Sequence, residues 1–360
     1  RQANEKTFGE AFIPSYHFEK AKTIVSVNAD FISSWLLPSK FSCDYSKTRK
    51  PENGWMSKHF QFESNYSLTG ANADYRAQIK PSQEGALIST LLSMLNGGNP
   101  THDFSQDVLT KLSNAVNSLK ENKGSSLVVS GSNDAHIQAM VNKINFKLGN
   151  YGSTINHAQP LNLFNGNDTE VEQLVNDISS NKIDALIVYN CNPVYSLPNG
   201  DKLGEVLTNS KMLKVSFADV MDETAACCQY VCPDHNYLES WCDFEPIPGH
   251  VSLQQPIIRP LYNTRQAQES FLVWANKSIR GGSESKVFYN FIKENWTAYN
   301  IGNQSDYITF DEFWNWTVHN GFTNMASLDA IELQDFEIDA NVEVSSSEWE
   351  VALYQNELGL

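Results

Sequence analysis

The chain has 360 residues, 26 basic and 42 acidic side chains, and a formal net charge of −16. This charge argues against nucleic-acid binding, because proteins that bind nucleic acids carry basic surfaces. No apolar run approaches the roughly 18 residues of a membrane-spanning helix, and the length suits two domains. The sequence begins at Arg1 and not at methionine. We therefore expect an internal or processed piece, whose missing targeting information says little about its compartment.

Short apolar runs alternate with helical patterns through most of the chain. The predicted strands include Thr23–Val27, Leu127–Val129, Ala185–Tyr189 and Leu213–Phe217. Strand, crossover helix and strand in succession are typical of a parallel sheet covered by helices on both faces. The sequence therefore predicts an α/β fold.

Local signals predict several helix ends. Gly149 follows an amphipathic segment at a position that favours a left-handed C-terminal cap. Ser82 and Thr264 suit N-caps. Thr309 and Glu312 have the spacing of a capping box.

An internal repeat indicates that the chain holds two related α/β domains. The first copy reads EKAKTIVSVNADFISSWLLPS and, later, GANADYRAQIKPSQEGA; the second reads NKIDALIVYNCNPVYSLPNGD and, later, DETAACCQYVCPDHNYLE. Each copy has an apolar strand that ends at an Asn, then a Ser and a Pro, and a small-residue turn near a second strand. Ligands of such sheets bind at the carboxyl ends of the strands.

The acidic charge is concentrated at the end of the chain. No Lys or Arg follows Lys293, whereas residues 294–360 hold 13 of the 42 acidic side chains. Apolar and acidic residues alternate there, as in Ile331-Glu332-Leu333 and Phe336-Glu337-Ile338, and a period of two suits an extended arm. A solvated acidic linker is the alternative. We expect the tail to lie across another surface.

These patterns predict four parts. A first, partial α/β domain spans residues 1–125, and a second spans residues 126–280. A helical block follows at residues 281–327, and residues 328–360 form an acidic linker or arm.

One long stretch, residues 222–275, carries a family resemblance. It reads DETAACCQYVCPDHNYLESWCDFEPIPGHVSLQQPIIRPLYNTRQAQESFLVWA. It resembles a segment of the molybdopterin oxidoreductase superfamily (dimethyl sulfoxide reductase-like enzymes), and more closely the B subunit of bacterial alternative complex III, a quinol-oxidising respiratory complex. It departs from the molybdenum enzymes at Cys228-Gln229, where they tend to place Ala-Asp.

The resemblance implies a fold and a setting. The fold is a pair of Rossmann-like parallel-sheet domains of the molybdopterin oxidoreductase type. The B subunit keeps this fold without the molybdenum cofactor and carries iron–sulfur clusters in its remaining part. Its neighbours are cytochrome c subunits with haem c and integral membrane subunits that oxidise quinol. The implied location is the periplasmic side of the bacterial inner membrane.

Three turns are the candidate cofactor positions. In the molybdopterin enzymes the matching turns help to hold pterin guanine dinucleotides. Here they contain Asn28, then Gly131, Ser132 and Asn133, and then Asn192 and Pro193. Gly131 to Asn133 lacks the G-x-G-x-x-G spacing of a dinucleotide site. We interpret the turns as vestigial and expect no cofactor, catalytic residue or metal in this chain.

The cysteines and histidines favour structural roles. The spacing of Cys227, Cys228, Cys232 and Cys242 matches neither an iron–sulfur run nor a zinc knuckle, so we expect buried thiols, with one disulfide possible in an oxidising compartment. His235 and His250 have acidic neighbours, but no nucleophile or oxyanion motif accompanies them.

The segment from Asp234 to Tyr262 is rich in proline and predicts a long loop. Long loops in compact domains are usually functional or contact surfaces. Aromatic and arginine side chains are enriched at binding hot spots. The predicted partner contacts are therefore Tyr237, Trp241, Phe244, Arg259, Tyr262 and Arg265.

Three functions remain open from the sequence. The favoured one is a non-catalytic scaffold in a quinol-oxidising electron-transfer complex, supporting the iron–sulfur domain and neighbouring subunits. The second is a fragment of an oxidoreductase that binds bis-molybdopterin guanine dinucleotide. The third is an α/β protein that binds a small anion.

Overall fold

The fold is seen in a computed structural model, which describes residues 1–163, 165–276, 286–300, 306–325, 332–344 and 349–353. The chain forms two compact units. Unit 1 consists of Arg1–Leu161 together with the tail, Leu328–Leu360, and unit 2 consists of Asn162–Ser327. None of the helices in the described ranges has the length and apolar character needed to cross a membrane.

Unit 1 is a parallel sheet with helices on its faces. Its elements are α1 (Gln2–Phe8), β1 (Ser15–Tyr16), β2 (Thr23–Val27), α2 (Pro38–Lys47), β3 (Lys58–Glu63), α3 (Leu68–Ala71), β4 (Tyr75–Gln78), α4 (Glu84–Leu95), α5 (Gln106–Glu121), β5 (Ser126–Ser130), α6 (Ala135–Lys147) and β6 (Ile155–Asn156).

The main sheet of unit 1 has the strand order β4-β3-β2-β5, and every pairing in it is parallel. Val25 of β2 lies between Phe60 of β3 and Val128 of β5. All five residues of β2 are buried, because helices cover both faces of a parallel sheet. On one face Val25 and Val27 belong to a core built with α4, α5 and α6, and on the other Ile24 packs among phenylalanines.

The helices of unit 1 follow the expected end signals. Ser105 caps α5 and Asp134 caps α6 by accepting hydrogen bonds from backbone amides of the first turn. Gly149 has a φ of 68° just after α6, which confirms the predicted left-handed position. Ser82 lies in a 3₁₀ turn that precedes α4, and the N-cap of that helix is Gln83.

The acidic tail packs on unit 1 as an extended arm. Ile338, Ala340 and Val342 pack against the core between α4 and α6, while Asp339 and Asn341 between them are exposed. The predicted period of two is therefore confirmed, and the surface beneath the arm belongs to the same chain.

Unit 2 contains a second, smaller parallel sheet and an antiparallel one. Its elements are α7 (Asp168–Ser179), β7 (Ala185–Val188), α8 (Pro193–Ser196), α9 (Gly200–Asn209), β8 (Leu213–Ser216), β9 (Tyr230–Val231), β10 (Cys242–Ile247), β11 (His250–Gln254), α10 (Ala267–Trp274), α11 (Val287–Asn295), α12 (Phe310–Asn320) and β12 (Phe322–Asn324).

The parallel sheet of unit 2 has the order β7-β8-β9, and the antiparallel sheet has the order β10-β11-β12. The antiparallel sheet packs on α11 and α12 through a core that includes Val251, Trp296 and Phe313. The capping box of Thr309 and Glu312 begins α12 as predicted.

The α/β class with parallel sheets is confirmed, but the domain boundaries differ from those predicted. β5 pairs with β2, so residues 126–161 complete unit 1 instead of beginning a second domain. The segment predicted as a long loop contains the hairpin of β10 and β11. Gln266, and not Thr264, is the N-cap of α10.

Candidate functional site

The first candidate turn lies at the carboxyl end of β2. Asn28 has a φ of 52°, a left-handed conformation that Asn tolerates better than most residues. Two residues later, Asp30 Oδ1 accepts hydrogen bonds from Thr69 Oγ1 (2.6 Å) and from the Thr69 amide (3.1 Å). The Thr69 hydroxyl oxygen in turn accepts the amide of Ile32 at 3.0 Å. We call this arrangement the Asx–threonine latch.

The same latch occurs in unit 2. Asn190, after β7, has a φ of 54°. Asn192 Oδ1 accepts hydrogen bonds from Thr224 Oγ1 (2.6 Å) and from the Thr224 amide (3.3 Å), and Thr224 Oγ1 accepts the amide of Val194 at 3.1 Å. The counterpart of Asn192 is therefore Asp30, and the counterpart of Asn28 is Asn190.

The equivalence extends to the next two strands of each sheet. In unit 1 Asp74 Oδ2 accepts the amide of His59 at 2.8 Å, five residues after Thr69. In unit 2 Gln229 Oε1 accepts the amide of Lys214 at 2.7 Å, five residues after Thr224. Phe60 pairs with Tyr75 and Val215 pairs with Tyr230 in the same register. The internal repeat of the sequence thus corresponds to a repeated tertiary structure.

The asparagine amides of the turns bind glutamates of the same unit. Asn28 Nδ2 donates to Glu84 Oε1, and Asn192 Nδ2 donates to Glu223 Oε2, both at 2.7 Å. Burial raises the pKa of Glu84 to about 7, and the hydrogen bond from Asn28 opposes that rise. The pKa of Glu223 is lowered, mainly by the hydrogen bond from Asn192.

Gly131 is required by a close backbone approach. A Cβ atom at this position would lie 2.1 Å from the carbonyl oxygen of Asn28, far inside van der Waals contact. The Gly131 amide donates to the carbonyl of Val27 at 2.9 Å. The glycine is thus explained by the packing of two neighbouring strand ends.

The remaining residues of this turn also have local roles. Ser132 Oγ accepts the amide of Asp134 at 3.1 Å, and Asn133 is exposed. The Asp134 carboxylate accepts hydrogen bonds from the backbone amides of His136 and Ile137. A carboxylate therefore occupies the start of α6, where a phosphate group would bind in a dinucleotide site.

The third turn is short and is closed by the latch. Pro193 begins α8, a helix of 4 residues, and a proline suits the first turn because its missing N–H is not needed there. In each of the three turns, one polar side chain thus hydrogen-bonds a neighbouring group of the chain itself: Asn28, Asp134 and Asn192.

Two cavities lie away from the candidate turns. One of about 810 Å³ in unit 1 is bordered by the arm, with His102 and Lys143 in its lining. One of about 260 Å³ in unit 2 is lined by Cys232, Thr264, Arg265 and their neighbours. Arg265 Nε donates to Ser270 Oγ at 2.9 Å in this second cavity.

The cysteines and histidines form no cluster in the described ranges. There, no group of three His, Cys, Asp or Glu side chains could hold a metal ion, and all six cysteines are free thiols. His250 Nδ1 lies 2.7 Å from Asn324 Oδ1 across two strands. Burial is the largest contribution to the raised pKa values of Cys228 and Cys242, so these thiols are poorly suited to nucleophilic chemistry.

The predicted partner contacts divide into two groups. Tyr237, Phe244 and Tyr262 are exposed to 67%, 54% and 77%, and Arg259 is also exposed. Trp241, in contrast, packs among the core aromatics of unit 2 beside Tyr289 and Trp314. Trp241 is thus partly buried against this core, and its role as a partner contact stays a prediction.

Comparison with known proteins gives one sequence match of limited extent. None of the known family models matches the chain. A stretch of 97 residues is 36% identical to the menaquinone reductase molybdopterin-binding-like subunit of Nitratidesulfovibrio vulgaris (strain Hildenborough). The match covers 26% of this chain and 14% of that protein. It supports a molybdopterin oxidoreductase-like fold.

The chain also shows structural similarity to a solved protein structure. Acetylene hydratase from Pelobacter acetylenicus superimposes with a TM-score of 0.49 at 11% sequence identity, over 74% of this chain and 48% of that chain.

Proposed function

We propose that this chain is a non-catalytic scaffold in a membrane-associated respiratory oxidoreductase of the alternative complex III type. Two similarities support a respiratory setting. The stretch of residues 222–275 resembles the B subunit of that complex, and the relative matched at 36% identity is a subunit of a menaquinone reductase.

The closed turns carry the scaffold part of the proposal. In both units, the polar groups at the strand ends, where a dinucleotide would bind, form hydrogen bonds within the chain. Asp30 and Asn192 bind the threonines of the latch, and Asp134 caps α6. Opening the latch for a ligand would leave the buried hydroxyls of Thr69 and Thr224 without these partners, which costs about 1–3 kcal/mol for each group.

The rest of the assignment follows from the resemblance. The chain would support an iron–sulfur domain and contact cytochrome c and quinol-oxidising membrane subunits at the periplasmic side of the inner membrane. Tyr237, Phe244, Arg259 and Tyr262 are exposed side chains of the hot-spot type. They are the proposed contacts.

Metal analysis of the purified native assembly tests this function. We expect iron and no stoichiometric molybdenum. Asn133→Ala removes an exposed turn side chain and should leave quinol oxidation unchanged. Molybdenum at one atom per chain, or loss of turnover in this variant with normal assembly, would favour the molybdopterin-dependent alternative.

A second candidate is small-anion binding in unit 2. It is favoured by the cavity of about 260 Å³ in which the Arg265 guanidinium lies beside Thr264 and Ser270. Titration with inorganic phosphate and sulfate, followed by NMR, addresses it directly. Saturable shifts that disappear in Arg265→Gln would support this candidate.

A further inference from the structure

A chain of three tryptophans runs through the core of unit 2. The ring centroids of Trp296 and Trp314 are 5.7 Å apart, and those of Trp314 and Trp241 are 6.1 Å apart. Both distances lie in the range of direct aromatic contact. Trp296 is 1% exposed and Trp314 is 4% exposed, whereas Trp241 is only partly buried. The chain therefore leads from the centre of this core to a partly exposed end.

The rings of this chain are of the kind that can pass an electron. Indole and phenol are the aromatic side chains that lose one electron most readily, and rings in contact exchange an electron quickly. Tyr289 places a phenol beside the chain, at 4.8 Å from Trp241 and 5.8 Å from Trp314. An electron removed from one of these rings can therefore be replaced from its neighbour.

Trp296, at the buried end, has a proton acceptor. Its Nε1–H donates to Asp243 Oδ2 at 2.8 Å, and hydrogen bonds to a carboxylate are stronger than those between neutral groups. Loss of one electron makes an indole N–H strongly acidic, so the carboxylate can take the proton along this bond. Trp296 also begins a π-helical turn of 5 residues, a rare conformation that is frequent at functional sites.

Lys293 makes the middle of the chain different from the buried end. Its Nζ lies 5.5 Å from the ring centroid of Trp314 and 5.8 Å from that of Tyr289. A cation over a ring is attracted by the electrons of that ring, so removal of one of them would bring two positive charges together. Trp296, in contrast, becomes neutral again by giving its proton to Asp243. The oxidised state is therefore most stable at Trp296.

We infer that this tryptophan chain is a one-electron redox site for oxygen-centred radicals. Trp241 gives one electron to the oxidant, which is reduced to its anion, and electrons then move along the chain until Trp296 lacks one. The indole proton passes to Asp243, so an indole and a carboxylate become a neutral tryptophanyl radical and a carboxylic acid. A thiolate, oxidised to its thiyl radical, returns the electron through Trp241, and Asp243 returns the proton. This site does not depend on the respiratory assignment.

Electron paramagnetic resonance of the purified full-length protein tests the site. Photogenerated carbonate radicals serve as the oxidant, and the samples are frozen rapidly in H2O and in D2O. We expect the signal of a tryptophanyl radical without a coupling to an exchangeable indole proton. Trp296→Phe should lose this signal. Asp243→Asn keeps an oxygen that accepts the hydrogen bond but cannot take the proton, so its radical should show that coupling.

Two further variants distinguish the redox role from a packing role. Trp314→Phe breaks the chain but leaves Trp296 and Asp243 in place, so the signal should again be lost. Trp274 packs on Phe217 outside the chain, so Trp274→Phe should keep the signal. Glutathione added before freezing should remove it from the original protein. A signal that persists in Trp296→Phe, or an Asp243→Asn radical without the exchangeable coupling, would overturn the inference.

Discussion

His59 Nδ1 lies 3.1 Å from the hydroxyl oxygen of Tyr45, and His59 is fully buried. The other ring nitrogen, Nε2, lies 3.3 Å from Gln61 Oε1, and Gln61 Nε2 donates to Glu63 at 3.0 Å. His59, Gln61 and Glu63 therefore form a row of buried polar side chains along one face of β3. Such a network is stable only if its members satisfy one another.

Acid should destabilise the chain through His59. Burial lowers the pKa of His59 to about 4, from an ordinary value of 6.5. Between these two values the unfolded state binds the proton and the folded state does not, so the free energy of unfolding falls as the pH drops through this range. We expect a contribution of about 2–3 kcal/mol, measured by urea denaturation at several pH values.

The control for this prediction is an exposed histidine. His59→Gln should remove this part of the pH dependence, whereas His319→Gln should leave it unchanged, because His319 is exposed on α12. An unaltered pH profile in His59→Gln would show that the buried imidazole does not titrate as described.

Glu84 should have the opposite effect. Its folded pKa of about 7 exceeds the ordinary value of 4.5, so the folded state keeps a proton that the unfolded state releases. Stability is therefore lost as the pH rises from about 4.5 to 7. Glu84→Gln should raise the free energy of unfolding by about 1 kcal/mol at pH 8 and by little at pH 4.5. The value at pH 8 already allows for solvent screening of this half-buried group.

Glu223 is the matched control because it also binds an asparagine amide. Its pKa is lowered instead of raised, so Glu223→Gln should bring no gain at pH 8. Carbon-detected NMR titration of the two carboxyls gives the pKa values directly. A Glu84 pKa near 4.5 would contradict the prediction.

Gly131→Ala should destabilise unit 1. The new Cβ would lie 2.1 Å from the Asn28 carbonyl oxygen, so the two strand ends must separate. Overpacking against backbone costs about 1–3 kcal/mol, to be measured by chemical denaturation. Gly166→Ala is the control, since nothing lies within 4 Å of a Cβ at that position. Equal stability of the two variants would show that the backbone of the turn can shift to accommodate the added Cβ at little energetic cost.

The arm should stabilise unit 1 without any partner. Ile338→Asp places a charge against the core between α4 and α6, so the arm should detach and amide exchange in those helices should increase. We expect a loss of about 1–2 kcal/mol. Glu343→Gln changes an exposed residue of the same arm and should have little effect. Normal protection of both helices in Ile338→Asp would contradict this packing.

Local sequence signals were sufficient to predict several features of the fold. The cap at Gly149, the capping box of Thr309 and the period of two in the tail each depend on a few neighbouring residues. The repeat was also visible, because its turns keep the same order of residue types. The α/β class was predicted from the alternation of short apolar runs with helical patterns, which is also visible in the local sequence.

Tertiary pairing was not visible in the same way. β5 was assigned to the second domain because its sequence does not tell which strand it joins. The latch was missed because Thr69 is 39 residues from Asp30; the recurrence of a Thr before a small-residue turn was its only sequence signal. The hairpin was missed because Pro246 argued against a strand. β10 is an edge strand whose register shifts between Phe244 and Ile247, and such positions tolerate proline.

The arm has a consequence for how the chain is made. Lys143 forms an ion pair with Asp335 at 2.7 Å, across 192 residues of sequence, and Ser89 donates to the carbonyl of Ala340 at 2.6 Å. During synthesis at about 5–20 residues per second, these side chains emerge from the ribosome about 10–50 s before their partners. All of unit 2 is translated in that interval. The groove between α4 and α6 therefore stays open to water until the residues of the arm, 335–342, have been synthesised.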